Sequence, residues 1–164
     1  MEHAIMIHYK NIQDFLNQES LAVIGVSRNE KKFGNAVYST LKAKGYRVFA
    51  VNPHMQSIGS DRCYPHLNAL PEKVGGVVMV VPPSVTEEMV QVANTIGIRH
   101  IWLQQGTGSK RAIQFCEENG INVIHGECIL MYAEPVESIH RFHRLIWRLL
   151  GKIPRTTNGK YIPA

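Results

Sequence analysis

Five short apolar runs recur along the chain: LAVIGV at 21–26, RVFAV at 47–51, GVVMVV at 76–81, HIWLQ at 100–104 and NVIHG at 122–126. They are rich in Val and Ile and lack the alternation of a half-exposed strand. Each is therefore expected to be a strand buried on both faces of a parallel sheet. Polar stretches with helical spacing separate them. At 35–44, NAVYSTLKAK places Ala36, Val37, Tyr38 and Leu41 on one side, and Gly45 stops the helix. At 84–96, Met89, Val92, Ala93 and Ile96 form a stripe ending at Gly97, while Ser84 with Glu87 three residues on spells a capping box. A helix over 109–119 ends at Gly120 in the same way. Strand leads to helix, and helix to glycine and the next strand. That order predicts an α/β, Rossmann-like doubly wound domain: a mainly parallel five-stranded sheet with helices on both faces.

The flanks are less regular. Residues 52–75 carry Pro53, Gly59, Pro65 and Pro71 and read as a long connection with at most a helical turn near 66–70. A helix over about 9–18 is expected on the sheet edge. A last helix over 135–150 shows Ile139, Phe142, Leu145, Ile146, Leu149 and Leu150 on one side, and is expected to cover a sheet face or form a contact between copies. Residues 1–150 then make one domain, and 151–164 a basic, loosely held tail.

A length of 164 residues suits one domain able to bury a core without staples. A hydrophobic share of 45% against 19% charged excludes a disordered chain. The formal charge of +5 favours anionic partners without separating nucleic acid from a phosphorylated small molecule. Three scattered cysteines, Cys63, Cys116 and Cys128, form no CxxC pair, so a reducing cytoplasm is the expected compartment. The N-terminus lacks the pattern of a signal peptide, and no stretch reaches the roughly 20 apolar residues of a membrane span.

The candidate chemistry lies in GVSRNEKKFG, which leaves strand one and feeds a helix. In an open parallel sheet that position faces the ligand crevice, where backbone N–H groups and a helix N-terminus suit a phosphate. The dinucleotide fingerprint GxGxxG is absent, because Ser27 stands where the second glycine belongs and Gly34 follows Gly25 by nine residues. Arg28, Lys31 and Lys32 could instead wrap an anion more heavily phosphorylated than a pyrophosphate; a solvated basic loop is the plainer alternative. Strand two ends in Val51, Asn52, Pro53 and His54, with no acid for the ribose of NAD. That leaves NADP or a 3′-phosphorylated nucleotide such as coenzyme A. In such a site Pro53 and Pro82, each ending a strand, would turn the chain aside and open room beside the sheet; plain loop punctuation is the other reading.

The ordered set GVSRN, YRVFAVNP, CYPHLNALPEKV, VVMVVPP, IWLQQG and the late cysteine of HGEC resembles the small stand-alone CoA-binding proteins. These share the Rossmann-like CoA-binding domain of the succinyl-CoA synthetase alpha subunit. The resemblance covers roughly residues 18–134. It implies that Gly25, Val26, Ser27, Arg28 and Asn29, with Lys32 nearby, meet the CoA phosphates. It further implies that Asn52, Pro53 and His54 lie by the adenosine end, that Val81, Pro82 and Pro83 border adenine and pantetheine, and that Gln104, Gln105 and Gly106 line the crevice further along. Synthetases of this superfamily use a phosphorylated histidine in a second domain. This chain has no GHAG-like segment, so the resemblance implies binding without ligase chemistry of its own.

Other constellations are thinner. His140 and His143 are three apart on a helix, but Arg141 and Arg144 would repel a cation, so no metal is expected. Cys128 follows strand five at the ligand end, where a thiolate could exchange with the CoA thiol; an inert packed cysteine is the other reading. Ser27 lacks a GxSxG elbow, and Glu127 is the lone carboxylate at a strand end. The expected function is thus non-covalent binding of coenzyme A or acyl-CoA as carrier, sensor or partner subunit, without catalysis of its own. The expected partners are that small molecule and either a second copy of the chain or an acyl-CoA enzyme, with no nucleic acid and no membrane span. The rival is an NADP-dependent oxidoreductase or redox-sensing dinucleotide-binding protein, disfavoured by the missing GxGxxG and the lack of a tyrosine–lysine relay. A further rival is an interaction protein with a vestigial site.

Overall fold

The computed structural model describes residues 2–133, with side chains from residue 8 on, and the strand segments at 155–157 and 160–162. In chain order the main body runs α1 (Glu2–Leu16), β1 (Ser20–Ile24), α2 (Phe33–Ala43), β2 (Arg47–Val51), β3 (Ser57–Ile58), β4 (Asp61–Tyr64), β5 (Gly76–Met79), α3 (Pro83–Thr95), β6 (His100–Gln104), α4 (Lys110–Glu118) and β7 (Asn122–Glu127). β8 (Arg155–Thr157) and β9 (Lys160–Ile162) pair as a separate antiparallel ladder in the expected tail. The helix expected at 135–150, with His140 and His143, lies outside the described residues.

The sheet has seven strands in the order β3-β4-β2-β1-β5-β6-β7, parallel throughout except for β3. The five expected strands are all there. The other two, β3 and β4, come from the segment read as a connection, where a 3-10 turn at Leu67–Ala69 also forms. The apolar runs are unbroken because alternate residues feed two cores. On β1, Leu21 and Val23 join a cluster with Ile12 and Phe15 of α1 and Val37, Tyr38 and Leu41 of α2. Ala22 and Ile24 face a second cluster with Val90 and Ala93 of α3 and Ala112 and Cys116 of α4. A strand side chain points to opposite faces at successive residues, so a doubly covered strand needs apolar residues at every position. Trp102 anchors the first core, edge to face with Phe15 at 5.4 Å between ring centres.

Two local expectations are corrected. Ala36 is exposed, and only Val37, Tyr38 and Leu41 of the expected stripe are buried. The capping box at Ser84 does not form. Pro82 is the N-cap and Pro83 opens the helix with a backbone angle already fixed, which places Ser84 inside the first turn. Glu87 turns instead to the next helix, where it accepts a 2.6 Å hydrogen bond from the Ser109 hydroxyl. Ser109 does cap α4, accepting from Ala112 N at 3.1 Å.

Candidate nucleotide-binding site

The chain moves outward from β1 through β2 and β4, then returns to β5 on the other side of β1. The reversal puts a crevice at the carboxyl ends of β1 and β5, between the first turns of α2 and α3 on opposite faces. Two glycines shape the loop that opens it. Gly25 has φ +110°, and a Cβ there would lie 2.1 Å from Val80 O; a Cβ on Gly34 would lie 2.1 Å from Gly25 O. Strand end, loop and helix start are thus stacked backbone to backbone. Gly34 provides the close helix–strand approach that the last glycine of a GxGxxG loop provides, from further along the chain.

Between the glycines the loop is tied down by one side chain. Asn35, in the first turn of α2, accepts from Ser27 N at 2.8 Å and donates to Ser27 O at 2.8 Å and Asn29 O at 3.1 Å. Asn29 N donates to the Ser27 hydroxyl at 3.2 Å, and Lys31 N to the Asn29 side chain at 3.1 Å. Arg28, Asn29, Lys31 and Lys32 are consequently exposed on an ordered turn. The orphan amides at the start of α2 open toward the same edge. Val26 contributes only backbone, since its side chain is buried in the first core.

The turn after β2 is joined to this loop. Asn52 donates to Val26 O at 2.6 Å and accepts from His54 N at 2.7 Å, and the Arg28 guanidinium donates to His54 O at 2.6 Å. Pro53 and His54 are exposed beside it. Val81, Pro82 and Pro83 follow β5 next door, with Val81 Cγ1 close under Gly25. These three segments adjoin one another at the carboxyl edge. Further along, Thr107 bonds both Met79 O and Gln104 O, locking the ends of β5 and β6. Gln105 and Gly106 are exposed there, but the Gln104 side chain turns inward and accepts from Ile129 N at 3.2 Å. Asn35 is the contributor that sequence reasoning missed.

At the far end of the edge, Glu127 is held by the Tyr132 hydroxyl at 3.0 Å and lies 3.7 Å from His8. Cys128 is half-buried against the first core, and Cys63 and Cys116 are buried. Burial pushes the Cys116 thiol up to about 12. Among the described residues no helix is long and apolar enough to cross a membrane.

A family model described as a CoA-binding domain matches residues 19–134, the span from β1 to just past Ala133. The chain belongs to the CoA-binding domain family. Among curated proteins, it is similar to "Acetate--CoA ligase [ADP-forming] I" of Archaeoglobus fulgidus, 25% identical over 76% of this chain and 20% of that protein. The chain thus spans about a fifth of that relative's length. Among solved structures, a conserved hypothetical protein from Pyrococcus furiosus is 34% identical with a TM-score of 0.65, over 68% of this chain and 96% of its own. A hypothetical protein from Pyrococcus horikoshii is 27% identical with a TM-score of 0.72, over 77% and 90%. This CoA-binding domain therefore has counterparts both within a far longer ligase and in chains of about its own extent.

Proposed function

We propose that the chain binds coenzyme A, free or acylated, non-covalently along the carboxyl edge of its sheet. It serves as carrier, sensor or partner subunit for an acyl-CoA enzyme and does no chemistry itself. The observation that carries this reading is the corner where Arg28 meets the turn after β2. Asn52 stands where a ribose-binding acid would stand, and both ends of its amide are spent within the protein. Arg28, Lys31 and Lys32 gather on the adjoining loop. The corner thus offers positive charge where a ribose carries a phosphate, and an amide at the strand end where a carboxylate would receive a free diol. Family membership over residues 19–134 supports CoA over other phosphorylated nucleotides. The diphosphate would lie on Gly25–Asn29 and the first turn of α2, with the pantetheine arm running past Val81, Pro82 and Pro83 toward Gln105 and Gly106. Similarity to the ADP-forming acetate–CoA ligase supports an enzyme of that type as the partner.

Calorimetric titration with CoA, acetyl-CoA, dephospho-CoA, NADP and NAD tests the reading. CoA and acetyl-CoA bind, and Arg28→Ala or Lys32→Ala weakens CoA by about tenfold while affecting dephospho-CoA less, because a charge-assisted contact to the 3′-phosphate is lost. Tight NADP binding with silent CoA would overturn it in favour of a dinucleotide protein; silence for every ligand would indicate a vestigial site.

A further inference from the structure

The connection from β4 to β5 folds over one face of the sheet, turned by Pro65 and Pro71 around the short 3-10 helix at Leu67–Ala69. Between it and the last turn of α3 lies a pit of about 320 Å³. Its walls are apolar: Leu67, Val74 and Ile98 are buried members of the second core, and Leu70 and Ile96 are half-buried beside them. The core thus closes without filling this corner, and the space left is at the lower end of the roughly 300–1,000 Å³ of small-molecule sites.

The rim decides what the pit suits. Asn68, Glu72 and Lys73 stand around it. Glu72 is already answered, since it accepts from the Arg47 guanidinium at 2.7 Å. Lys73 makes no ion pair among the described residues. Its ammonium lies over Gly97, just past the end of α3, 3.0 Å from where a Cβ on that glycine would stand. Ile96 and Ile98, on either side of Gly97, both line the pit. The last carbonyls of a helix favour a cation in that place. An ammonium without a carboxylate partner is therefore held at the mouth of an apolar pit. An apolar body ending in one carboxylate matches both features: the body leaves water, and the carboxylate accepts a charge-assisted hydrogen bond from Lys73.

The pit lies at the amino edge of the sheet, since Val74 leads into β5 and Ile98 into β6. The crevice proposed for CoA opens at the other end of α3, whose 13 residues span about 20 Å. We propose that the pit is a second ligand site, for an aliphatic monocarboxylic acid of short to medium chain length, with Lys73 recognising its carboxylate. This goes beyond the CoA reading and does not depend on it.

Octanoate, octanol and octylamine probe the pit with one chain and three charges. In methyl-resolved NMR of the unaltered protein, octanoate should shift the methyls of Leu67, Leu70, Val74, Ile96 and Ile98 in a saturable way. Octanol should bind there about tenfold more weakly, and octylamine not at all. Lys73 is exposed, so Lys73→Gln folds as the parent does; it should weaken octanoate about tenfold and leave octanol unchanged. Methyls that stay in place at about 10 mM octanoate, or shifts confined to Val81 at the crevice, would overturn the assignment. So would octanol or octylamine binding as tightly as octanoate, or Lys73→Gln binding octanoate as the parent does, since the pit would then be an unselective apolar gap.

Discussion

Asn35 shows how one side chain can set the shape of a binding loop while looking, in sequence, like any solvated polar residue of a first helical turn. Its amide bonds both the N–H and the carbonyl of Ser27 and the carbonyl of Asn29, two residues further on. The two glycines and the cations of GVSRNEKKFG are visible in the sequence, but the reason for their spacing is not. It lies in a closeness of three backbones that only the fold creates, with Gly34 against Gly25 and Gly25 against Val80. Asn35→Ala removes three part-buried or exposed hydrogen bonds at once, and should lower stability by about 2 kcal/mol, since each neutral bond contributes about 0.5–1.5 kcal/mol. It should also weaken CoA, because the turn presenting Arg28 and Asn29 loosens. Asn35→Asp keeps the acceptor for Ser27 N and loses the donor, so it should fall between. Thermal melts and titration check both effects; a variant equal to the parent in each would show that the loop holds its shape without Asn35.

Among the elements, legibility followed length and periodicity. The five doubly covered strands and helices α2 to α4 were readable because each carries a sustained pattern ended by a glycine, and Gly45, Gly97 and Gly120 all adopt positive φ. The β3–β4 hairpin was not, since strands of two and four residues set among Pro53, Gly59 and Pro65 have no room for a period. Its place depends on tertiary contacts: Cys63 and Tyr64 pair with Ala50 and Val51 of β2, and Asp61 reaches across to α2. Lys42 first and the Tyr38 hydroxyl second hold the Asp61 carboxyl below its ordinary value of 3.8. A carboxylate lowered in the fold stabilises it above the unfolded value, and that contribution disappears as pH falls through the folded one. Asp61→Asn should therefore melt below the parent at neutral pH, with the gap closing in acid below about 3.8. Melting curves across that range decide the matter; a gap that does not change with pH would mean that the hairpin is held by packing rather than by charge.

For the molecule as a whole, a parallel sheet separates its two edges by task. The Gly25–Gly34 loop and the turns at Pro53 and Pro82 lie at the carboxyl edge, while the helix-ending glycines Gly45, Gly97 and Gly120 lie at the opposite one. At the opposite edge, where β6 and β7 begin, the polar contacts tie the sheet to α1. His100, at the start of β6, lies 3.3 Å from the Asn122 amide nitrogen, which also donates to Asn11 O at 2.8 Å. Since that nitrogen carries the donors, the ring nitrogen facing it accepts, and the imidazole is neutral. Burial holds His100 below its ordinary 6.5, with Asp14 pulling weakly the other way. For a base lowered in the fold, the neutral form is the stabilised one, so its contribution is full above 6.5 and is lost as pH falls through the folded value. His100→Asn keeps an acceptor toward Asn122 but cannot take up the proton. Between about pH 7.5 and pH 5 its melting temperature should fall less than the parent's. Parallel curves would remove His100 from the acid response. Because the ring stands at the edge away from Gly25 and Arg28, His100→Asn should bind CoA at neutral pH as the parent does, and a loss of affinity there would mean that the two edges are coupled through β6.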